Sequence, residues 1–461
     1  MTAADVSFDA GRVPLPRGQE LVAVSLSDRD VADLVARPVL GDGAGRGWLA
    51  AFIAMALGTM IMAGGIVWLF AVGVGIWGIN STVVWGFAIA NYVWWIGIGN
   101  AGTLISSMLL IMRQRWRASI NRFAEAMTIF AVTIAGLFPI LHLGRPMYFY
   151  WLAPYPNTMT LWPQWRSPLV WDFWAILSYL LFSVIFWYTG MIPDLAALRD
   201  RAKSKPAQWF YGALSLGWRG SARHWSAYHT FSMTMAAMAV PLVCSVHSIV
   251  GLDFAASLMP GWQETIFPPY FVVGAMFSGF AMVIVLTALV RWGFRLQSIV
   301  TIQHFDIMGQ ILAAAALIMG ASYATEWFSA WYGGRAIDRS LVAYLFTGPY
   351  APLYYAMLAF NVLLPQVFWF PAARRSVLLL CLVAILINVG MWLERILIIW
   401  MTLSHSYLPS MNRLFYPTAA DWLFLFAPMA FFALLFIVFV RLLPAVSIHE
   451  VQALRREEAA A

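Results

Sequence analysis

The chain has 461 residues, of which 62% are hydrophobic, 16% are aromatic and only 11% are charged. Soluble globular domains carry about 25% charged and about 45–50% apolar residues, so this composition excludes a water-soluble protein. Apolar tracts of about 20 residues recur along the chain, which indicates membrane-spanning helices and excludes a barrel of alternating ~10-residue strands. We therefore predict an all-α polytopic membrane protein.

Residues 1–49 form a polar arm that has no apolar core of a cleavable signal peptide. Ten candidate spans follow this arm. They are Ala50–Trp77, Val84–Met112, Asn121–His142, Leu169–Gly190, Ser226–Gly251, Pro268–Arg291, His304–Trp331, Tyr350–Phe370, Val377–Met401 and Asp421–Leu443.

A weak internal repeat relates the second and third spans to the sixth and seventh. In each copy an Arg-rich turn ends one span and a polar cluster opens the next, Ser119–Glu125 in the first copy and Thr301–Asp306 in the second. Both copies start on the same side, so the repeat is parallel and predicts two consecutive four-helix bundles with two peripheral helices. The predicted boundaries are 1–49 for the arm, 50–83 for the peripheral first span, 84–251 and 252–402 for the bundles, and 403–461 for the last span and tail.

The basic residues decide the predicted orientation. With the N-terminus inside, the arm and the inner connections hold 22 of the 28 Lys and Arg residues. Positively charged connections stay in the cytoplasm, so both ends of the chain are predicted to be cytoplasmic. The formal charge of +7 therefore reflects topology, and no nucleic-acid binding follows from it.

The two cysteines, Cys244 and Cys381, lie in separate apolar tracts with no Cys or His at metal-ligand spacing. This arrangement excludes a CxxC zinc site, a covalently attached haem and a Cys-ligated iron–sulfur cluster within this chain. Any such redox centre is expected in a partner protein.

Ionisable residues at membrane depth are the informative positions, because each costs about 2.5 kcal/mol or more to insert. His142, Asp172 and Asp253 fall at the outer ends of the first predicted bundle, and Glu394 with Arg395 lies toward the same side in the ninth span. A neutral imidazole and a carboxylate can each accept a proton, which suits the oxidation of a hydroquinone.

Each of these residues also has a purely structural interpretation. His142 can cap a helix C-terminus, and Asp172 can be a first-turn carboxylate that the helix dipole stabilises. Asp253 can be a solvated loop carboxylate. Glu394 and Arg395 point about 100° apart on a helix and can pair with other spans.

A second ionisable set lies along the inner and middle depths, with Glu326 and Glu394 toward the outer side, and predicts a proton pathway across the membrane. Satisfaction of these groups by backbone and hydroxyl partners is the competing account. The set consists of Glu125, His247, His304, Asp306, Glu326 and Glu394.

Tryptophan and tyrosine crowd the outer connection between the third and fourth spans. An interfacial aromatic belt and a docking surface for an outer protein are both open interpretations. The residues are Tyr148, Tyr150, Trp151, Tyr155, Trp162, Trp165 and Trp171.

Three segments carry a family resemblance: Trp95–Ser106, Trp116–Thr128 and the turn His142–Pro146. They resemble the NrfD/PsrC family of quinone-interacting membrane subunits, and within it most closely the ActC subunits of bacterial alternative complex III. The resemblance extends over the ten spans.

The resemblance implies a protein that oxidises menaquinol or ubiquinol near the periplasmic side of the bacterial inner membrane. By motif, His142 and Asp172 match the family's pocket residues, and Asp253 and Arg395 are further members. A proton route in the second bundle is also implied. Family members often carry His where this chain has Asn100.

The implied partners are c-type cytochrome subunits, a periplasmic iron–sulfur subunit and a second NrfD-like membrane subunit. Electrons would then pass to cytochrome c, a cupredoxin or a terminal oxidase. Iron–sulfur clusters and haems belong to these partners, and the quinone is not covalently bound. Two alternatives stay open: the membrane anchor of a molybdopterin reductase, and a proton or ion transporter.

Overall fold

A computed structural model describes residues 20–41, 45–154 and 162–460. Within these residues the chain is helical and has no strand, and ten segments are long and apolar enough to cross a membrane. The predicted all-α polytopic fold is confirmed. In chain order the helices are Asp28–Leu40 (α1), Arg46–Val72 (α2), Phe87–Ile111 (α3), Asn121–Leu141 (α4), Pro168–Arg201 (α5), Lys205–Leu214 (α6), Ala222–Ala255 (α7), Phe267–Gly293 (α8), Ile302–Tyr332 (α9), Ala336–Thr347 (α10), Ala351–Leu358 (α11), Pro371–Arg374 (α12), Val377–Ser404 (α13), Ala419–Leu442 (α14) and Ile448–Ala460 (α15).

Most spanning helices begin and end within a few residues of the predicted spans. The exception is α5, which continues beyond the predicted Gly190 to Arg201. Helices α5 and α7 have 34 residues each. At about 1.5 Å per residue each is roughly 50 Å long, more than the ~30 Å hydrocarbon thickness of a bilayer. Their ends, joined through α6, therefore project beyond the apolar layer.

The first and last described helices lie together at one end of the assembly, called the terminal end below. There α1 packs on α15, and Arg117 forms two bonds to Glu450 of α15, Nη1–Oε2 at 2.7 Å and Nη2–Oε1 at 3.0 Å. Burial raises the pKa of Glu450, but Arg117 and other cations outweigh it and hold the pKa below its usual value. This ion pair fixes the C-terminal helix against the spanning helices. The other end of the assembly is the opposite end.

Two closed rings of four spanning segments form the centre of the molecule. In the first helix ring α3 contacts α4, α4 contacts α5, α5 contacts α7 and α7 contacts α3. In the second helix ring α8, α9, the segment 351–369 and α13 contact one another in the same order. Helix α8 also packs on α3 and α7, and α13 packs on α3, which joins the rings. Helix α14 covers α3 and α4 from outside and carries α2 on its far side.

The eighth span is not a regular helix. Helix α11 is followed by a π-helical turn at Ala359–Leu363 and a 3-10 segment at Leu364–Trp369. Pro365 has no N–H to donate to the preceding turn, which accounts for the break. Asn361 lies in the π turn, fully buried, and its Nδ2 donates to Tyr323 Oη at 3.0 Å. The irregular turn thus presents an amide to the interior of the second helix ring.

Close contacts between the two rings and within the first ring depend on small residues. A β-carbon added to Gly279 of α8 would lie 1.7 Å from Cβ of Ala101 in α3. A β-carbon on Gly102 would lie 2.0 Å from the backbone oxygen of Ala124 in α4. Such close approach replaces side-chain contact by backbone packing, which membrane helices favour.

We expect Gly279→Val to destabilise the protein, because a larger side chain must push α3 and α8 apart. The thermal midpoint in detergent should fall by roughly 5 °C or more. Gly64→Val is the matched control, since Gly64 is also helical and has nothing within 4 Å of its β-carbon position. The monodisperse fraction after stepwise heating measures both, and equal midpoints would contradict the packing described.

Candidate functional site

Polar side chains from all four helices of the first helix ring meet at its opposite end. Tyr92 lies in the second turn of α3, His142 directly follows α4, Asp172 is in the first turns of α5, and Asp253 is in the last turn of α7. The Tyr92 hydroxyl donates to Asp172 Oδ2 at 2.8 Å. The Tyr92 and His142 rings lie with centroids 6.5 Å apart. These four residues are called the polar cluster below.

Local sequence explains how two members are positioned. The α4 helix ends at Leu141, and the backbone N–H of His142 donates to Phe138 O at 2.9 Å, so His142 is the C-cap residue. Helix α5 begins with Pro168, which suits a first helical position, and Asp172 follows one turn later with its side chain buried. His142 can therefore cap α4, and Asp172 can be an early carboxylate of α5, while both also belong to the polar cluster.

Asp253 is part of helix α7 and not a residue of a solvated loop. Its carboxyl group lies within hydrogen-bonding contact of the Asp172 carboxyl group. Two carboxyl groups can bond to each other only when one of them carries a proton. Such a pair can share one proton, and the ionised member is then an acceptor.

The carboxyl pair has unused acceptor capacity. Asp172 Oδ1 and Asp253 Oδ1 are both shielded from solvent, and no N–H or hydroxyl group of the described residues donates to either oxygen. Buried acceptors without a donor are costly, so these two neighbouring oxygens are candidates for binding a ligand hydroxyl. His142 adds a third acceptor, because burial lowers its pKa to about 4 and leaves the ring neutral near pH 7.

Tyr92 is the member that the sequence did not single out. A tyrosine near the end of an apolar span is usually an interfacial aromatic residue. The available signal was depth: Tyr92 lies about one turn inside α3, at the same end at which Asp172 lies in the first turns of α5. Only the packing of α3 against α5 across the ring shows that the hydroxyl meets the carboxylate.

Arg395 and Glu394 lie in the second helix ring and form an ion pair, Nη1–Oε1 at 3.0 Å, despite being adjacent on α13. The Arg395 guanidinium lies 4.0 Å from the ring centroid of Phe271 in α8. Tyr323 donates to Glu394 Oε2. The structure thus brings Asp253 to the other cluster members and gives Arg395 a separate set of partners near the contact between the rings.

A small cavity of about 40 Å³ lies beside this ion pair, and its volume corresponds to about three water molecules. Glu326 and Glu394 line it, together with Glu264 and Asp338 from the connections at the opposite end. Burial and then the neighbouring Asp338 raise the pKa of Glu264. Glu326 and Glu394, two of the residues predicted for a proton pathway, therefore line one cavity that is large enough to hold water.

The other predicted pathway residues have individual partners elsewhere. Ser106 Oγ donates to Glu125 at 2.5 Å, and the Asn100 amide contacts His247 Nδ1. His304 accepts the backbone N–H of Thr301 at 3.2 Å in a capping box at the start of α9. Asp306 pairs with Arg374 at 3.1 Å. A continuous pathway through these residues stays a prediction.

In the aromatic connection, Tyr155 lies outside the described residues, and the remaining members flank the polar cluster. Met147, Tyr148 and Phe149 of the 3-10 segment Pro146–Leu152 are exposed, as is Trp162 at 70%. Both interpretations, an interfacial belt and a docking surface, remain predictions.

Comparison with known proteins gives two findings. The family model for "Polysulphide reductase, NrfD" matches residues 75–404, which include both helix rings and all four members of the polar cluster. A Halobacterium salinarum protein, provisionally named as a membrane subunit of dimethyl sulfoxide reductase, is 27% identical over 260 residues. Those residues cover 55% of this chain and 54% of the relative, so the chain matches about half the length of that protein.

We expect His142 to stay neutral well below pH 6.5. Its pKa of about 4 lies below the usual value, so the neutral form predominates at all pH values above about 5. Carbethoxylation by diethyl pyrocarbonate requires neutral imidazole and can be quantified by peptide mass spectrometry. The rate at His142 should be nearly the same at pH 5.5 and pH 7.5.

A synthetic peptide covering residues 138–146 is the control, because its unburied histidine should lose about tenfold in rate over the same range. An equal loss at His142 in the folded protein would contradict the burial described.

Proposed function

We propose, from the premise that this chain belongs to the polysulphide reductase NrfD family, that it oxidises a quinol at the polar cluster as the membrane subunit of an oxidoreductase complex. The observation that carries the proposal is the pair of buried oxygens Asp172 Oδ1 and Asp253 Oδ1, which receive no N–H or hydroxyl donor from the described residues, beside a neutral His142. Carboxylate and imidazole acceptors are what two quinol hydroxyl groups require.

The residues present fit a quinol headgroup. A quinol supplies two electrons and two protons when it is oxidised, so its two hydroxyl groups need two proton acceptors. We assign one hydroxyl to the carboxyl pair and the other to His142. Tyr92 holds Asp172 Oδ2 through its hydrogen bond and leaves Oδ1 for the ligand. Release of both protons would occur at the opposite end, where α4 and α7 finish.

The electrons must leave to a partner protein. The membrane subunits of this family work with iron–sulfur subunits, and we propose that an iron–sulfur partner lies over the opposite end above the polar cluster. The exposed aromatic residues between α4 and α5 are the proposed contact, because aromatic side chains are enriched in protein interfaces. Menaquinol and ubiquinol are both compatible with the acceptor set.

The comparisons favour a reductase as the complex. The matching family is described as polysulphide reductase, and the relative carries the name of a dimethyl sulfoxide reductase membrane protein. We therefore propose that the chain anchors a molybdopterin-type reductase and feeds it electrons from quinol. We therefore place a molybdopterin-type reductase ahead of an alternative complex III as the complex to which the chain belongs.

Alternative complex III remains the second candidate because of the three sequence segments Trp95–Ser106, Trp116–Thr128 and His142–Pro146. In that setting the partners would be c-type cytochromes, a periplasmic iron–sulfur subunit and a second NrfD-like protein. The same polar cluster would oxidise quinol, and the acidic cavity with Glu326 and Glu394 would serve proton movement.

We expect Asp172→Asn to lower quinol-dependent acceptor reduction by roughly 10²-fold, since an amide cannot take up the hydroxyl proton. The measurement uses the complex purified in mild detergent and a soluble quinol analogue. Asp200→Asn is the matched control, because Asp200 is exposed at the terminal end. An unchanged rate in Asp172→Asn with all subunits retained would contradict the proposed site.

We expect the complex isolated through a tag on this chain to contain molybdenum together with iron. Elemental analysis and a haem-stained gel distinguish the two candidates in one preparation. Covalently bound haem without molybdenum would contradict the reductase and favour the second candidate. This outcome leaves the test of Asp172 unaffected, because both complexes oxidise quinol.

A further inference from the structure

We propose that the cleft between α5 and α7 at the terminal end binds an anionic phospholipid. The cleft has a volume of about 430 Å³. Its walls include Thr189 and Ile192 of α5, Trp218 of the following turn, and His224, Tyr228 and Phe231 of α7. Most of the lining is apolar, and the polar side chains of Ser215 and His224 lie beside Trp218, a combination that matches an acyl chain joined to a headgroup.

The chain around the polar side of the cleft is strongly cationic. Residues 199–223 hold six Lys and Arg residues and a single acid, Asp200. Arg199 pairs with Asp200 and Arg201 pairs with Asp33. The other four are exposed, and within the described residues none forms an ion pair. They are Lys203, Lys205, Arg219 and Arg223. This excess positive charge is complementary to a phosphodiester.

The same segment carries the apolar side chains of a membrane interface. Trp209 of α6 is 81% exposed, and Phe210 and Leu216 are exposed beside it, while Tyr211 on the other face is buried. A short helix with exposed Trp and Phe between Lys and Arg residues is typical of a segment lying at the headgroup layer. The cleft therefore opens at the depth at which lipid phosphates lie.

The turn that borders the cleft is held in one conformation. Arg199 Nη1 donates to Trp218 O at 3.1 Å and to Ser215 Oγ at 3.4 Å. Gly220 has a φ of +67° and carries no side chain that could cover the cleft. The indole Nε1 atoms of Trp225 and Trp218 lie 3.8 and 4.0 Å from its β-carbon position. Two indole N–H groups therefore lie close together beside Gly220, the residue that follows Arg219 in the chain.

Charge decides between a lipid and a helix of another protein as the occupant. An apolar helix would contact only the apolar wall of the cleft. It would supply no negative charge to the four cations. Cationic pockets between spanning helices are suited to anionic lipid headgroups, with roughly fivefold in affinity for each Lys or Arg near the phosphate.

The test is native mass spectrometry of the purified complex, delipidated in detergent and titrated with phosphatidylglycerol or phosphatidylcholine. We expect the double variant Arg219→Gln with Arg223→Gln to bind phosphatidylglycerol about 25-fold more weakly than wild type. Arg413→Gln, which removes an exposed cation at the opposite end, should leave binding unchanged. Phosphatidylcholine should bind weakly to all three proteins.

A second variant, Ile192→Trp, fills the apolar part of the cleft without changing charge and should also reduce phosphatidylglycerol binding. Addition of 10-fold excess inorganic phosphate should not displace the lipid. Equal phosphatidylglycerol binding by wild type and both cleft variants would overturn the proposal. So would equal binding of the two lipids, displacement by phosphate, or a photo-crosslink from position 231 to another protein in the intact complex.

Discussion

The interior of a bilayer offers no hydrogen bonds, so each polar group of a spanning helix needs a partner within the protein. This constraint determines how the helices of the chain are joined. Asn91 Nδ2 donates to Phe424 O at 3.2 Å while its Oδ1 accepts from Trp392 at 2.8 Å, so one amide links α3, α14 and α13. Trp94 donates to Asn388 O at 3.1 Å and repeats the link between the rings.

Two buried carboxylates, Asp194 and Asp172, differ in the number of donors that reach them. At the terminal end the buried Asp194 receives Arg122 at 3.0 Å, His449 Nδ1 at 3.1 Å and the backbone N–H of Ile448 at 3.1 Å. A charge with that many donors is structural. Among the N–H and hydroxyl groups of the described residues, Tyr92 is the single donor to Asp172, and Asp172 Oδ1 receives none. The difference between these two buried carboxylates separates an anchoring residue from a reactive one.

The polar cluster lies at the opposite end of the helices, and the ion pairs that fix these helices lie at the terminal end. Helices α4 and α5 reach both ends, so the ion pairs that fix their terminal halves also hold His142 and Asp172 in register at the opposite end. Accurate placement of proton acceptors depends on rigid supporting elements. The proposed lipid at the terminal end would act on the same two helices, α5 and α7, that carry Asp172 and Asp253.

Several features followed from sequence because hydropathy and charge are local properties. Twenty-residue apolar tracts identified the spans, and the position of a residue within its span gave the depth of His142 and Asp172. The helical fold and the family were accessible for the same reason. The structural interpretation of Asp253 as a loop residue failed because a hydropathy minimum near a span end resembles a loop, whereas α7 continues to Ala255.

Tertiary structure decided which residues touch, since contact depends on helix rotation and packing that no local pattern records. Tyr92 and Asp172 are 80 positions apart, and only the closure of the first helix ring brings hydroxyl and carboxylate to 2.8 Å. The pairing of Glu394 with Arg395 likewise required side-chain conformations that bring neighbours on a helix together. Sequence determined the depth of each polar group, and the packing of helices determined its partners.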